Sequence, residues 1–290
     1  MYRECLPTES VRKETPMPLL AYLLDHTPRL AVRPRPFGAF HLISVAVIMA
    51  LAVLMVVLHK RLPCGEKHLQ RGLMIFGMSL FLLEIGKQLA YSYDTAAGWA
   101  YNWDRFPFQF CSTPIYVALV AMCLPAGRIR RALVSFLATY SPVAGCAVLF
   151  YPSSDVFHEI VFLNIHTMLW HGGMFLFGLY LWLTETVAPS VDTALTAAAV
   201  YLPMPCIALL LNEWEMAVGF AGDYTFNMFY IARDGYCMIP VLSWFQANTP
   251  YPVFFAAYVV TLGVGGALVT AGMGLIRILR QKCKKLPESD

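Results

Sequence analysis

About seven long apolar runs, separated by short polar breaks, take up most of this 290-residue chain. Each approaches the roughly 20 residues that a helix needs to cross a hydrocarbon core about 30 Å thick. The pattern predicts an all-α, polytopic transmembrane helix bundle of about seven spans. The runs fall at about 40–58, 72–91, 106–124, 132–150, 160–183, 194–211 and 252–276. The stretch 212–251 alternates aromatic and polar residues instead. It reads as a cap over the bundle or a re-entrant segment, with tryptophans and tyrosines suited to an interfacial belt. The expected organisation is a polar N-terminal tail (1–38) with an interfacial helix at Met17–Leu24, one bundle (39–277) and a basic tail (278–290). No cleavable signal peptide is expected, since the first forty residues lack an apolar core near the start.

Composition agrees with the pattern. The chain is 58% hydrophobic and 13% charged, half the charge of an ordinary soluble domain. A net charge of +3 offers no nucleic-acid surface. The basic residues gather in loops: Lys60, Arg61, Lys67 and Arg71; Arg128, Arg130 and Arg131; and Arg277, Arg280, Lys282, Lys284 and Lys285. In a seven-span arrangement these three segments share one side, which places the C-terminus in the cytoplasm of a multi-pass cell-membrane protein. Arg29, Arg33 and Arg35 pull the other way, on a tail that the same count puts outside. Eight cysteines, among them Cys5, form no CxxC pair, which argues against a disulfide framework and a zinc site. No metal and no cofactor is expected, because phosphate-loop, dinucleotide, HExxH and GxSxG motifs are all missing.

Polar residues inside the runs carry the candidate chemistry, because each is costly in hydrocarbon. Glu84, Lys87 and Gln88 share one face of the second span, as a structural ion pair or as part of a site. Cys111 follows the aromatic-proline entry FPFQFC, where Pro107 suits a first helical turn. Pro114 close behind would leave backbone groups free beside the cysteine, in need of partners or a water-filled cavity. The fifth span holds Asn164, His166 and His171. The two histidines are five residues apart, about 140° around the helix, so they would not chelate one metal together. Gly172 and Gly173 permit close approach of another helix beside His171. In the connecting stretch, Asn212, Asp223 and Tyr224 join the candidate binding residues.

These pieces, in their order along residues 40–280, resemble the bacterial YwaF-type integral membrane family. The resemblance rests on Phe106–Cys111, Ser141–Pro152, His171–Gly172, Asn212, Gly222-Asp223-Tyr224, Pro240 and Tyr251-Pro252; the family usually has Asn where this chain has Asp223. A eukaryotic branch is similar to membrane acyltransferases with a Cys nucleophile and a His base. The resemblance thus implies Cys111 as nucleophile and His171 as base; on the residues alone, Glu84 is the candidate to orient the imidazole. Lys87, Gln88, Asn164, His166, Asn212, Asp223 and Tyr224 would bind a membrane-lipid substrate, with backbone N–H groups near Pro114 holding an oxyanion. The other reading is non-catalytic: a small-ligand carrier, a sensor or an assembly factor whose midplane cavity the same polar set lines.

Overall fold

The computed structural model describes residues 18–283 and is helical apart from one short hairpin. Met17 and the tail before it, with Cys5, and residues 284–290, with Lys284 and Lys285, lie outside the described residues. The helices are α1 (Pro18–Asp25), α2 (Ala39–Val57), α3 (Glu66–Ser92), α4 (Thr113–Cys123), α5 (Arg128–Phe150), α6 (Val161–Leu183), α7 (Val191–Tyr201), α8 (Pro203–Val218), α9 (Pro240–Asn248) and α10 (Tyr251–Cys283). The hairpin pairs β1 (Tyr93–Asp94) with β2 (Gly98–Trp99). A helix thus stands at the expected interfacial segment, and α10 continues past 277 into the basic tail.

Five helical stretches are long and apolar enough to cross a membrane: α2, α3, α5, the α7–α8 pair and α10. α7 and α8 run as one 28-residue stretch broken only at Leu202, where Pro203 brings no N–H. α6 has 23 residues but is not among the five, its apolar run being interrupted by Asn164, His166 and His171. The expected third span differs most. α4 has only 11 residues, about 16 Å of helix at 1.5 Å per residue, roughly half the hydrocarbon thickness. Pro107 is not in a helical turn. Residues 100–109 are irregular apart from a 3-10 turn at Trp103–Arg105, and Pro114 takes the early-helix position instead. The Pro107 carbonyl accepts the Tyr116 hydroxyl at 2.6 Å, which folds this entry back over α4.

α5 is the central helix: 67% of its apolar window is buried, against 17% for α2. Its Pro142 lacks the N–H that would bond the carbonyl of Ala138, four residues earlier. The Trp182 indole of α6 donates to that carbonyl at 2.7 Å. The Pro142 ring lies against Gly178 of α6, where a side chain would collide with it. Phe136, Tyr140 and Tyr201 stack in series, with ring centroids 5.3 and 4.7 Å apart, tying α5 to α7.

Between α8 and α10 the chain is mostly irregular, with the nine-residue α9 as its α-helix. α8 stops at Gly219, whose φ of 69° is left-handed. A second core then forms from Phe226, Met228, Phe229, Cys237, Leu242, Phe254 and Tyr258, packed on Trp103, Phe106, Phe108 and Phe110. Part of the aromatic content that set this stretch apart thus packs inward over the entry to α4, while Tyr236 and Trp244 stay exposed.

Candidate functional site

The C-terminal third of α3 supplies the first polar group. Glu84 Oε1 pairs with Lys87 Nζ at 2.7 Å and accepts Gln88 Nε2 at 2.6 Å. Gln88 Nε2 also donates to the Arg105 carbonyl at 2.6 Å. Lys87 stands 6.0 Å from the centroid of the Trp170 ring on α6. Helical spacing of three and four residues makes this cluster possible, and mutual pairing makes it tolerable in a buried setting.

Cys111 sits in a 3-10 turn, Phe110–Ser112, that leads into α4. Its thiol is free. Pro114 has no N–H to give the Cys111 carbonyl, and the Trp170 indole donates there at 3.0 Å. A backbone group is freed beside the cysteine, as the prolines predict, but it is a carbonyl. The amides that follow are committed: Ser112 N–H bonds Gln109 O at 2.8 Å, and Thr113 N–H bonds Phe110 O. The two amides directly after Cys111 are therefore already paired. Cys111 also lies within electrostatic reach of Lys87 and Glu84.

His166 and His171 are both buried, at 5% and 7% exposure, despite their different angular positions on α6. His166 stacks on Trp170, with ring centroids 5.1 Å apart. His171 Nδ1 bonds the Thr167 carbonyl at 2.8 Å. A carbonyl only accepts, so Nδ1 carries the proton and Nε2 keeps its lone pair. Among the described residues neither Nε2 has a hydrogen-bond partner, the Cys111 thiol and Glu84 included. Glu84 is engaged by Lys87 and Gln88 and does not orient His171.

Eleven buried side-chain polar atoms lack a partner among the described residues, and nine belong to this end of the bundle. They are on Glu84, Gln88, Ser92, Trp99, Asp104, Arg105, Gln109, His166 and His171. Native interiors satisfy nearly all such groups, so a concentration of orphans marks a place where water or a ligand's polar atoms belong. Both donors (Trp99 Nε1, Arg105 Nε) and acceptors (Glu84 Oε2, Gln88 Oε1, Gln109 Oε1) are among them.

The segment between α8 and α10 contributes Tyr230. Burial pushes its hydroxyl pKa up to about 12, and Cys111 and Arg105 both act on it electrostatically. It thus stays a proton donor at any physiological pH. Phe229 and Tyr230 have φ of 58° and 56°, a left-handed pair that costs on the order of 1–2 kcal/mol per residue. Asn212 of α8 clamps the preceding residue. Its carbonyl oxygen accepts Met228 N–H at 2.8 Å and its amide donates to Met228 O at 3.0 Å. Gln109 donates to the Asn227 carbonyl at 2.8 Å, joining this segment to the turn that bears Cys111.

The structure thus places Glu84, Lys87, Gln88, Cys111, His166 and His171 in one polar region. Asn212 supports that region from behind. Asn164 instead ties the turn before α6 to the helix's first turn, accepting His158 N–H at 2.8 Å and donating to His158 O and Ile160 O. Asp223 and Tyr224 are exposed between α8 and α10. Arg105, Gln109, Trp170 and Tyr230 were missed by the sequence reading. Trp170, four residues after His166 and next to His171, had the clearest signal, since an indole N–H inside a span needs a partner. Among the described residues no three His, Cys, Asp or Glu side chains gather as metal ligands.

The model of the TMEM164 family matches residues 36–270, most of the chain, and the protein belongs to that family. No curated protein and no solved structure matches it.

Proposed function

From the premise of a polytopic TMEM164-family membrane protein, we propose that this chain transfers an acyl group between membrane lipids through a thioester on Cys111. The observation that supports the reading is the set of orphaned polar atoms at the end of the bundle that also holds a free thiol and a buried imidazole. The family match supports a membrane setting; the chemistry rests on the residues.

In the first half-reaction Cys111 Sγ attacks the ester carbonyl carbon and its proton passes to His171 Nε2. The ester C–O bond then breaks, and His171 returns the proton to the leaving lysolipid oxygen. In the second half-reaction an acceptor hydroxyl gives its proton to His171 and attacks the thioester. The C–S bond breaks and the thiolate recovers the proton. His171 has the tautomer a base needs, because Thr167 holds its Nδ1 proton. Thiol and imidazole are not hydrogen-bonded, so substrate entry brings them into reach, as in many unliganded sites. With the amides after Cys111 occupied, Tyr230 and Arg105 are the donors for the developing oxyanion. We also propose that α6, and α4 with its irregular entry, complete seven crossings, with the Lys- and Arg-rich loops and the C-terminus on the cytoplasmic side.

The test is to supply membranes containing the protein with a phospholipid whose acyl chain carries an alkyne, then detect label on the protein. Wild type should carry a hydroxylamine-labile adduct, and Cys111→Ala none. His171→Gln should label about 10²–10⁴ times more slowly. Equal labelling of wild type and Cys111→Ala refutes the thioester. Absence of label from both refutes it as well, and favours a carrier or sensor that uses the same polar residues to hold a ligand unchanged.

A further inference from the structure

The opposite end of the bundle carries an open cleft of about 1160 Å³. Glu66 on its rim precedes Glu84 by 18 residues of continuous helix, about 27 Å at 1.5 Å per residue. The cleft is therefore remote from Cys111. The starts of α3, α5 and α7 all reach it. Gly65 and Gly127 are the residues before α3 and α5 and offer no capping side chain. The first amides of those two helices thus keep their donors, and the positive ends of two helix dipoles meet in one place. α7 differs, since Ser190 accepts its Thr193 N–H at 3.1 Å.

Arg130 supplies the second, independent observation. It lines the cleft yet is only 4% exposed. Nη1 pairs with Glu66, and Nη2 donates to Gln70 Oε1 at 2.7 Å. Nε is buried with no partner among the described residues. A guanidinium held on two sides, with one buried donor left over, at the start of a helix that has no side-chain cap, offers the donors that a phosphate oxygen needs. Arg128 and Arg131 also line the cleft, and neither has a carboxylate partner among the described residues.

We infer that this cleft is a phosphate-binding site, separate from the Cys111 region, in which Arg130 Nε and the opening amides of α5 hold the phosphate oxygens. Arg128 and Arg131 supply the countercharge. Glu185 and Asp192 also line the cleft, and Glu66 is already matched by Arg130. These carboxylates limit the positive charge of the cleft, which weighs against a polyphosphate. The phosphate belongs either to a lipid headgroup entering from the bilayer or to a small soluble anion.

The experiment uses the full chain in neutral detergent and follows its thermal midpoint. Inorganic phosphate and dihexanoyl phosphatidic acid are titrated separately, against potassium chloride at matched ionic strength. At least one phosphate probe should raise the midpoint saturably by a few degrees, as a ligand of the folded state must. Saturation by inorganic phosphate identifies a soluble ligand; saturation by the lipid alone identifies a headgroup. Arg130→Gln should weaken binding at least tenfold. Should that variant fail to fold, Arg128→Gln/Arg131→Gln, both exposed positions, must weaken binding as well. No saturable shift beyond chloride, or variants that bind like wild type, overturns the inference.

Discussion

Gly145→Ala tests whether the packing of α5 on α6 sets the position of the proposed base. A Cβ at residue 145 would lie 2.6 Å from the His171 carbonyl oxygen and 3.2 Å from the Phe175 nitrogen. Both are backbone atoms of α6 and cannot swing aside. Restoring an ordinary contact of 3.4 Å requires α6 to retreat by about 0.8 Å at the turn that carries His171. Overpacking of this kind costs roughly 1–3 kcal/mol. Replacing a mid-helix glycine returns up to about 1 kcal/mol, so the net loss of stability is about 0–2 kcal/mol. The effect on chemistry is larger, because a displacement near 1 Å lowers a geometry-dependent rate about 10²-fold. Gly173→Ala is the control. It lies on the same helix, two residues from His171, with nothing within 4 Å of its added methyl. It should match wild type or gain up to about 1 kcal/mol. The assay compares thermal midpoint with the rate of Cys111 acylation for both variants. If Gly145→Ala acylates as fast as Gly173→Ala, the α5–α6 contact does not position His171 and the reasoning fails.

Two further predictions concern charge. Lys87→Met leaves Glu84 buried with only Gln88 beside it and should destabilise by roughly 3–5 kcal/mol, while Glu84→Gln/Lys87→Met recovers most of the loss; equal midpoints for the single and double variants would sink the idea of a coupled pair. His158, in the turn before α6, is held below the usual histidine pKa of about 6.5, chiefly by burial and then by Arg33, and its Nδ1 accepts Ile160 N–H at 3.1 Å. The unfolded chain therefore takes up the proton first as pH falls, so stability present above pH 6.5 is lost as pH drops toward the lower folded value. The midpoint should decline between about pH 7 and 5 in wild type and less in His158→Gln; parallel declines would remove His158 as the cause.

Much of this architecture can be read from hydropathy, because a lipid solvent leaves little choice but helices. α2, α3, α5 and α10 fall where the apolar runs predict them. α6 does as well, although Asn164, His166 and His171 interrupt its apolar run. The entry to α4 could not be read so. FPFQFC is apolar enough to continue a helix, yet it becomes irregular because the core around Phe226–Phe229 absorbs its aromatic rings. Glu84, Lys87, Cys111 and His171 stand out in sequence because ionisable groups in apolar runs are rare. Arg105 and Tyr230 do not, since both lie in stretches where arginines and tyrosines are ordinary. Only tertiary folding, with the Asn212 clamp holding Met228, brings Tyr230 toward the thiol. Asn164 shows the reverse error: an in-span polar residue whose work is to tie the preceding turn to its own helix.

The bond from Trp182 to the Ala138 carbonyl bears on how the chain is made. Translation delivers α5 before α6. During that interval α5 would hold a proline-freed carbonyl, with Ser135, Thr139 and Ser141 on surfaces that finish buried. An unmet backbone group in hydrocarbon costs several kcal/mol. Among the described residues, the donor that meets it arrives forty-four residues later on the next helix. α5 is thus a poor candidate for release into lipid alone and a good one for retention at the insertion machinery until α6 joins it. The pair would then leave as a hairpin, and Trp182→Phe should show itself first as a defect of biogenesis, before any loss of activity in the molecules that mature.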